Sequence, residues 1–211
     1  MDSKILCHDD FLTTSEFMII QQMILGTSTD NKFPWIWGEN VINPEEYKGG
    51  ENERVISSND DVDLTCSELD NYQFAHWVYF QNMFVSQPDI CNRLMPIIAN
   101  KAITVRSLIS MKINCHPRTE KHVTHGFHTD VSKEYDGSKT GILYLNTCNG
   151  YTEFEDGSKV GCRANRYVQF PANLKHRGVS QTDMRLKSVI NINFFTPHLN
   201  SNGEAEKNCD K

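Results

Sequence analysis

Short runs of β-forming residues follow one another almost without interruption from Thr104 to Phe195. In the first of them, about Thr104 to Cys115, Ile109, Met111 and Ile113 alternate with Ser110, Lys112 and Asn114. Gly141 to Asn146, Thr152 to Phe154, Lys159-Val160, Tyr167 to Phe170 and Ser188 to Phe195 come after it. Alternation sends successive side chains to opposite faces of a sheet. Glu155-Asp156-Gly157-Ser158, between two of the runs, is a hairpin signal. Short strands in quick succession, with helical patterns confined to the earlier part of the chain, predict a small β-sandwich or jelly roll with N-terminal helices packed on one sheet.

The helical patterns are distinct. Thr13-Thr14-Ser15-Glu16 is a helix start, and Phe17, Ile20, Met23 and Ile24 follow at helical spacing up to Gly26. This reads as a covering helix. Ser86-Gln87-Pro88-Asp89 opens a second one through Leu94, Ile97 and Ile98, and Tyr72 to Phe80 predicts a strand covered on both faces. Residues 27–70, with Gly49-Gly50 and clusters of Asn and Asp, predict a long, partly structured connection that forms part of a lid or substrate wall. With 211 residues and 38% hydrophobic content the chain is long enough for one well-buried core. The expected organisation is a single domain over 1–196, its core at about 104–196 and its helical and strand support at 1–103. A polar tail follows at 197–211.

A net charge of -6 gives no long-range attraction to phosphate backbones, which makes large nucleic acids poor partners. The seven cysteines are scattered without a CxxC, as reduced thiols of an intracellular protein are. The start MDSKILCHDDFL lacks the basic residues and apolar run of a secretory signal. No apolar stretch approaches the ~20 residues that span a bilayer. The expectation is a soluble cytoplasmic protein without a membrane partner.

Within this β-rich part lies His128-Thr129-Asp130, with His176 much further along. On a strand, residues two apart point to the same side, so His128 and Asp130 can reach one metal together, and His176 must arrive from a different strand. Two imidazoles and one carboxylate can hold a single iron(II) on one face and leave its other positions open for a cosubstrate and dioxygen. A structural zinc site is the competing reading, but such sites usually have four ligands and favour thiolates. Arg185 and Lys187, on a strand face shared with Val189, Asn191 and Asn193, offer cations for a dicarboxylate beside the metal.

These features resemble the double-stranded β-helix core of the iron(II)- and 2-oxoglutarate-dependent dioxygenases, in their prolyl-hydroxylase-like branch. The resemblance runs from about residue 105 to 195. It is carried by His128-Thr129-Asp130, Leu143-Tyr144-Leu145-Asn146, Asn149-Gly150-Tyr151-Thr152-Glu153-Phe154, Phe170-Pro171 through His176-Arg177-Gly178, and the closing Val189-Ile190-Asn191-Ile192-Asn193-Phe194-Phe195. Uncharacterised oxygenases of bacteriophage and marine microbial genomes are similar over most of the chain, which would place the protein in a host cytoplasm if phage-encoded. The resemblance implies His128, Asp130 and His176 as the ligands and catalytic centre for iron(II), with 2-oxoglutarate as cosubstrate and dioxygen as oxidant. Halogenation is disfavoured, because Asp130 fills the position that chloride would need. Alignment of the closing strand implies Lys187 as the anchor of the far carboxylate, while counting from His176 points to Arg185; strand register favours Lys187. Tyr144 matches the family tyrosine that bonds the same carboxylate, or is a core tyrosine. His116 stands where these enzymes often have a cosubstrate-contacting tyrosine, or merely closes a turn. Asn193 replaces a frequent tryptophan, which makes the substrate side more polar.

Other residues are candidates for the substrate side. His125 lines the entrance or, like His122, is a surface histidine of a polar loop, the second being favoured. Pro34, Trp35 and Trp37 cap a substrate or pack on the sheet. Arg163, with Arg166, serves a turn at Asn165 or meets an acidic substrate. The resemblance implies hydroxylation of a C–H bond on a protein or peptidyl side chain, prolyl first. Oxidation of a small metabolite or nucleobase is the alternative enzyme, and a cupin-like metal- or ligand-binding protein is the alternative without catalysis.

Overall fold

Period-two alternation decides which layer each side chain joins. In the computed structural model, which describes residues 5–26, 33–38 and 72–197, all strand pairings are antiparallel. The large sheet contains β1 (Leu6–His8), β9 (Tyr167–Pro171), β6 (Lys139–Tyr144), β11 (Leu186–Phe195), β5 (Ser107–Pro117), β3 (Gln73–Phe80) and β2 (Ile36–Gly38), in that order. β4 (Met83–Phe84) pairs with β3. A smaller sheet runs β10 (His176–Val179), β7 (Tyr151–Phe154), β8 (Lys159–Gly161). Leu143 and Leu145, Tyr167, and Ile190, Ile192 and Phe194 face the helices, whereas Ile142, Tyr144, Val168, Phe170 and Val189 face the small sheet and meet Phe154. The jelly roll with helices on one sheet is therefore the observed architecture.

The helices form where the sequence predicts. α1 (Thr14–Leu25) starts on a capping box: the Thr13 hydroxyl accepts from the Glu16 amide, and the Glu16 carboxylate accepts from the Thr13 amide at 3.0 Å. Its stripe of Phe17, Ile20, Met23 and Ile24 is buried. α2 (Pro88–Ala99) begins with proline in its first turn, where the missing N–H costs nothing, and buries Ile90, Cys91, Leu94 and Ile97. Among the described residues no helix is long and apolar enough to cross a membrane.

The structure departs from expectation at the sheet edge. β3 is not covered on both faces, since Trp77 is 38% and Phe80 42% exposed. Among the described residues only short β2 and β4 pair with β3 on its outer side, and their registers reach Ala75 and Tyr79 without touching Trp77. Trp37 does not cap the site: it stacks on Tyr72 at 4.8 Å and meets Phe74 edge-on. Most of the expected connection, residues 27–32 and 39–71, and the tail from 198 onward lie outside the described residues.

Asn165 ties the N-terminal segment to the core. Its φ of 60° places it in the left-handed region, which Asn tolerates. Its side-chain oxygen accepts from Leu12 N–H at 3.0 Å and its amide donates to Leu12 C=O at 2.8 Å, both bonds buried. Asn165→Ala would orphan both backbone groups and strain the turn. We expect a loss of roughly 3 kcal/mol, read as a lower urea midpoint at unchanged slope.

Candidate metal and cosubstrate site

The two histidines face each other across an isolated bridge. His128 N–H donates to His176 C=O and His176 N–H to His128 C=O, both at 3.0 Å, which brings the rings to 4.7 Å between centroids. His128-Thr129-Asp130 is not a strand, as the i and i+2 argument assumed, because pairing stops at that single bridge. The chain bends instead and delivers Asp130 between the imidazoles, with Oδ1 3.5 Å from His128 Nε2 and Oδ2 3.6 Å from His176 Nε2. Donor atoms of all three residues lie within 4.8 Å of one another.

The surroundings set the donor chemistry. His128 Nδ1 lies 3.1 Å from Gly126 C=O and His176 Nδ1 3.3 Å from Leu174 C=O, so each Nδ1–H is directed at a carbonyl and Nε2 is the nitrogen of each ring turned towards Asp130. Phe170 meets the His176 ring edge-on at 4.7 Å and restrains it. Burial opposes ionisation of Asp130, but His176, His128 and Lys112 together outweigh it and hold the carboxyl below the usual range. Burial also works against a proton on His128, yet the bond and charge of Asp130 raise it above an ordinary histidine. Burial lowers His176, and the charge of His128 adds to that. Asn191 donates its amide to Asp130 Oδ2 at 3.4 Å. Two oriented imidazoles and a carboxylate, with thiolates absent from the group, fit iron(II) better than a four-ligand zinc centre.

The triad opens into a cavity of about 370 Å³ between the sheets. Its floor is a lattice fixed by strand register. Lys187 is opposite His116, Val189 is opposite Asn114 and Tyr144, and Asn191 is opposite Lys112 and Ile142. Lys187 is buried and donates to Val179 C=O. Burial lowers its pKa, with Cys162 and Cys148 nearby opposing the shift. The Tyr144 hydroxyl bonds Thr152 at 2.7 Å and donates to Val160 C=O at 3.3 Å. Burial, together with the charges of Lys187, His125 and Lys112, pushes His116 well below the ordinary histidine range, so it is neutral at pH 7. Gly150 lets this end close up: a Cβ there would meet Val179 C=O at 2.9 Å and the Lys187 chain at 3.0 Å.

No protein-family model and no curated protein matches the sequence. Solved structures do match. A prolyl hydroxylase from Trichoplax adhaerens, in complex with a peptide fragment of the hypoxia inducible factor oxygen degradation domain, is 12% identical, with a TM-score of 0.52 over 92% of this chain and 84% of that one. A viral collagen prolyl hydroxylase from Paramecium Bursaria Chlorella virus-1, in its 2OG complex, is 11% identical, with a TM-score of 0.50 over 93% and 98%. The fold is that of the prolyl-hydroxylase-like 2-oxoglutarate oxygenases. It is not confined to hydroxylases. The non-heme alpha ketoglutarate dependent epimerase of nogalamycin biosynthesis is 12% identical, with a TM-score of 0.53 over 91% of this chain and 77% of that one.

Within this oxygenase fold the cavity gathers His128, Asp130, His176, Lys187, Tyr144, His116 and His125. His125 is buried in the lining and not on the surface, because its backbone N–H bonds Gly178 C=O at 3.2 Å and draws the loop inward. Three expected residues are elsewhere. Arg185 is exposed in the bend before β11, off the strand face assumed for it. Asn193 is absorbed by the sheet, accepting from Thr140 at 2.7 Å and donating to Ser110 at 3.0 Å, one step past the cavity wall. Arg163 pairs with Asp9 at 2.9 Å, where Arg166 joins it and pins the N-terminal strand. Sequence reading missed Lys112, Asn114, Thr152 and Asn191 as lining residues. Alternation from His116 and Lys187 was the signal that finds three of them, since positions 112, 114 and 116 share one face, as do 187, 189 and 191.

Proposed function

We propose that this protein is an iron(II)- and 2-oxoglutarate-dependent oxygenase that hydroxylates a C–H bond of a protein or peptidyl side chain, prolyl first. The carrying observation is the pairing, in one cavity, of a two-histidine, one-carboxylate face with a buried lysine at the opposite end. Iron and 2-oxoglutarate, when bound, supply with dioxygen the oxidation that turns C–H into C–OH and releases succinate and carbon dioxide. His128, Asp130 and His176 hold the metal from one side, and Asn191 keeps the carboxylate of Asp130 turned towards it. Lys187 receives the far carboxylate of the cosubstrate, and Tyr144 and neutral His116 complete that end. Ile142 and Val189 are apolar wall that excludes water, so charge-assisted bonds inside are strong. A protein substrate is supported by the peptide complex of one structural relative and the collagen named for another.

The test is succinate release in the presence of iron(II), ascorbate and 2-oxoglutarate, followed by mass spectrometry of a proteome incubated with the protein. A gain of one oxygen on proline is expected. A gain on another residue or on a small metabolite would move the substrate. Bound iron and cosubstrate with no succinate would favour a binding protein without catalysis.

A further inference from the structure

We propose that Lys112 is a specificity-determining residue whose ammonium receives a carboxylate that the substrate carries beside the oxidised C–H bond. This rests on the oxygenase reading above and narrows its substrate class. Asn191, Lys112 and Trp77 stand side by side on β11, β5 and β3. Lys112 is thus one strand spacing, about 5 Å, from the residue that holds Asp130, whereas Lys187 is four residues, about 13 Å, further down β11. One lysine belongs to the metal level and the other to the far end of the cosubstrate. Lys112 also lies on the β3 side of that row, with its Nζ 5.1 Å over the ring of half-exposed Trp77.

Charge balance decides what Lys112 is for. Asp130 is the only carboxylate in the described cavity lining, and it is engaged by both imidazoles and Asn191. With the site loaded, Asp130 and the oxo-acid end of the cosubstrate answer the metal, and the far carboxylate answers Lys187. Among the described residues the half-buried Lys112 then has an aromatic face and the more distant field of Asp130 as its company. A cation drawn out of water needs a counter-charge. A substrate carboxylate entering past Trp77 supplies it. The Trp77 face attracts the ammonium but carries no net negative charge, so it offsets only part of the desolvation.

The carboxylate can belong to a free amino acid or to an acidic residue or C-terminus of a peptide, and the assay separates these. Succinate formation is followed with the common L-amino acids, each against its primary amide, and with short acetylated prolyl peptides that have or lack a neighbouring acidic residue. Acids are expected to stimulate turnover at least ten times more than their neutral counterparts, and the arm in which they do so names the source. Lys112→Met should raise KM for the best acid roughly thirtyfold, with a smaller change in kcat, and Lys112→Arg should recover most of it. Calorimetric titration of that acid into anaerobic protein loaded with manganese(II) and 2-oxoglutarate should show the same loss of affinity without relying on turnover. Equal response to acids and amides, no response to any acid, or an unchanged KM in Lys112→Met overturns the proposal. Absence of both 2-oxoglutarate binding and substrate-free succinate release in the unaltered protein overturns the oxygenase reading itself.

Discussion

Asp130→Ala is expected to abolish succinate formation and to weaken iron(II) binding at least a hundredfold. The apparent binding energy of a structural metal, spread over its ligands, is about 3 kcal/mol per donor, or more than two decades of affinity. Asp130 is also the charge that organises the three side chains. Without it, His128, His176 and Lys112 face one another with no anion between them, and the Asn191 amide loses its acceptor. Asn191→Leu is the graded control: it leaves all three ligands and frees only the orientation of the carboxylate, for a loss of about 10–100-fold. Equilibrium dialysis of iron(II) and the succinate assay measure both variants. Iron affinity in Asp130→Ala equal to that of the unaltered protein would place the metal elsewhere.

Lys187→Met is expected to weaken 2-oxoglutarate binding several-hundredfold, about 3 to 4 kcal/mol, the cost of leaving a dry carboxylate unpaired. The stability of the cosubstrate-free variant should stay within about 1 kcal/mol, because removing a lone buried cation offsets the loss of its bond to Val179. Arg185→Met, changed at an exposed position, should alter affinity by less than about twofold. Binding has its own pH signature. Burial lowers the pKa of Lys187, so the free protein loses this cation at lower pH than an ordinary lysine does. Affinity should fall as pH rises through that lowered value, and Lys187→Arg should remove the decline. Loss of affinity in Arg185→Met with none in Lys187→Met would reverse the assignment.

The site was legible as far as local pattern reaches. The convergence of His128, Asp130 and His176 was readable because few other residue sets suit an open-sided iron. Lys187 was preferred over Arg185 because register along β11 sets direction. Asn193 and His125 were misjudged for one physical reason. Whether a polar side chain faces a cavity depends on the neighbours across the strand or loop, here Thr140 and Ser110 for one and Gly178 for the other. Those neighbours are distant in the chain. Lys112 went unassigned although its alternation was visible, since a lysine on a strand face is ordinarily solvated and its burial comes from β3 and β11 on either side.

The order of short alternating runs, the Thr13 capping box and the spacing of the hydrophobic stripe determined by themselves that this chain makes strands with helices to cover them. Such features are local: they follow from the period of the backbone and from groups within a turn of each other. Only the tertiary structure decided that Asp130 leaves the strand pattern to lie between two histidines, that one lysine sits at each level of the cavity, and that Trp77 on β3 stays partly exposed beside Lys112. Each of these depends on antiparallel register between segments far apart in sequence, where a shift of one residue would turn every side chain to the other face.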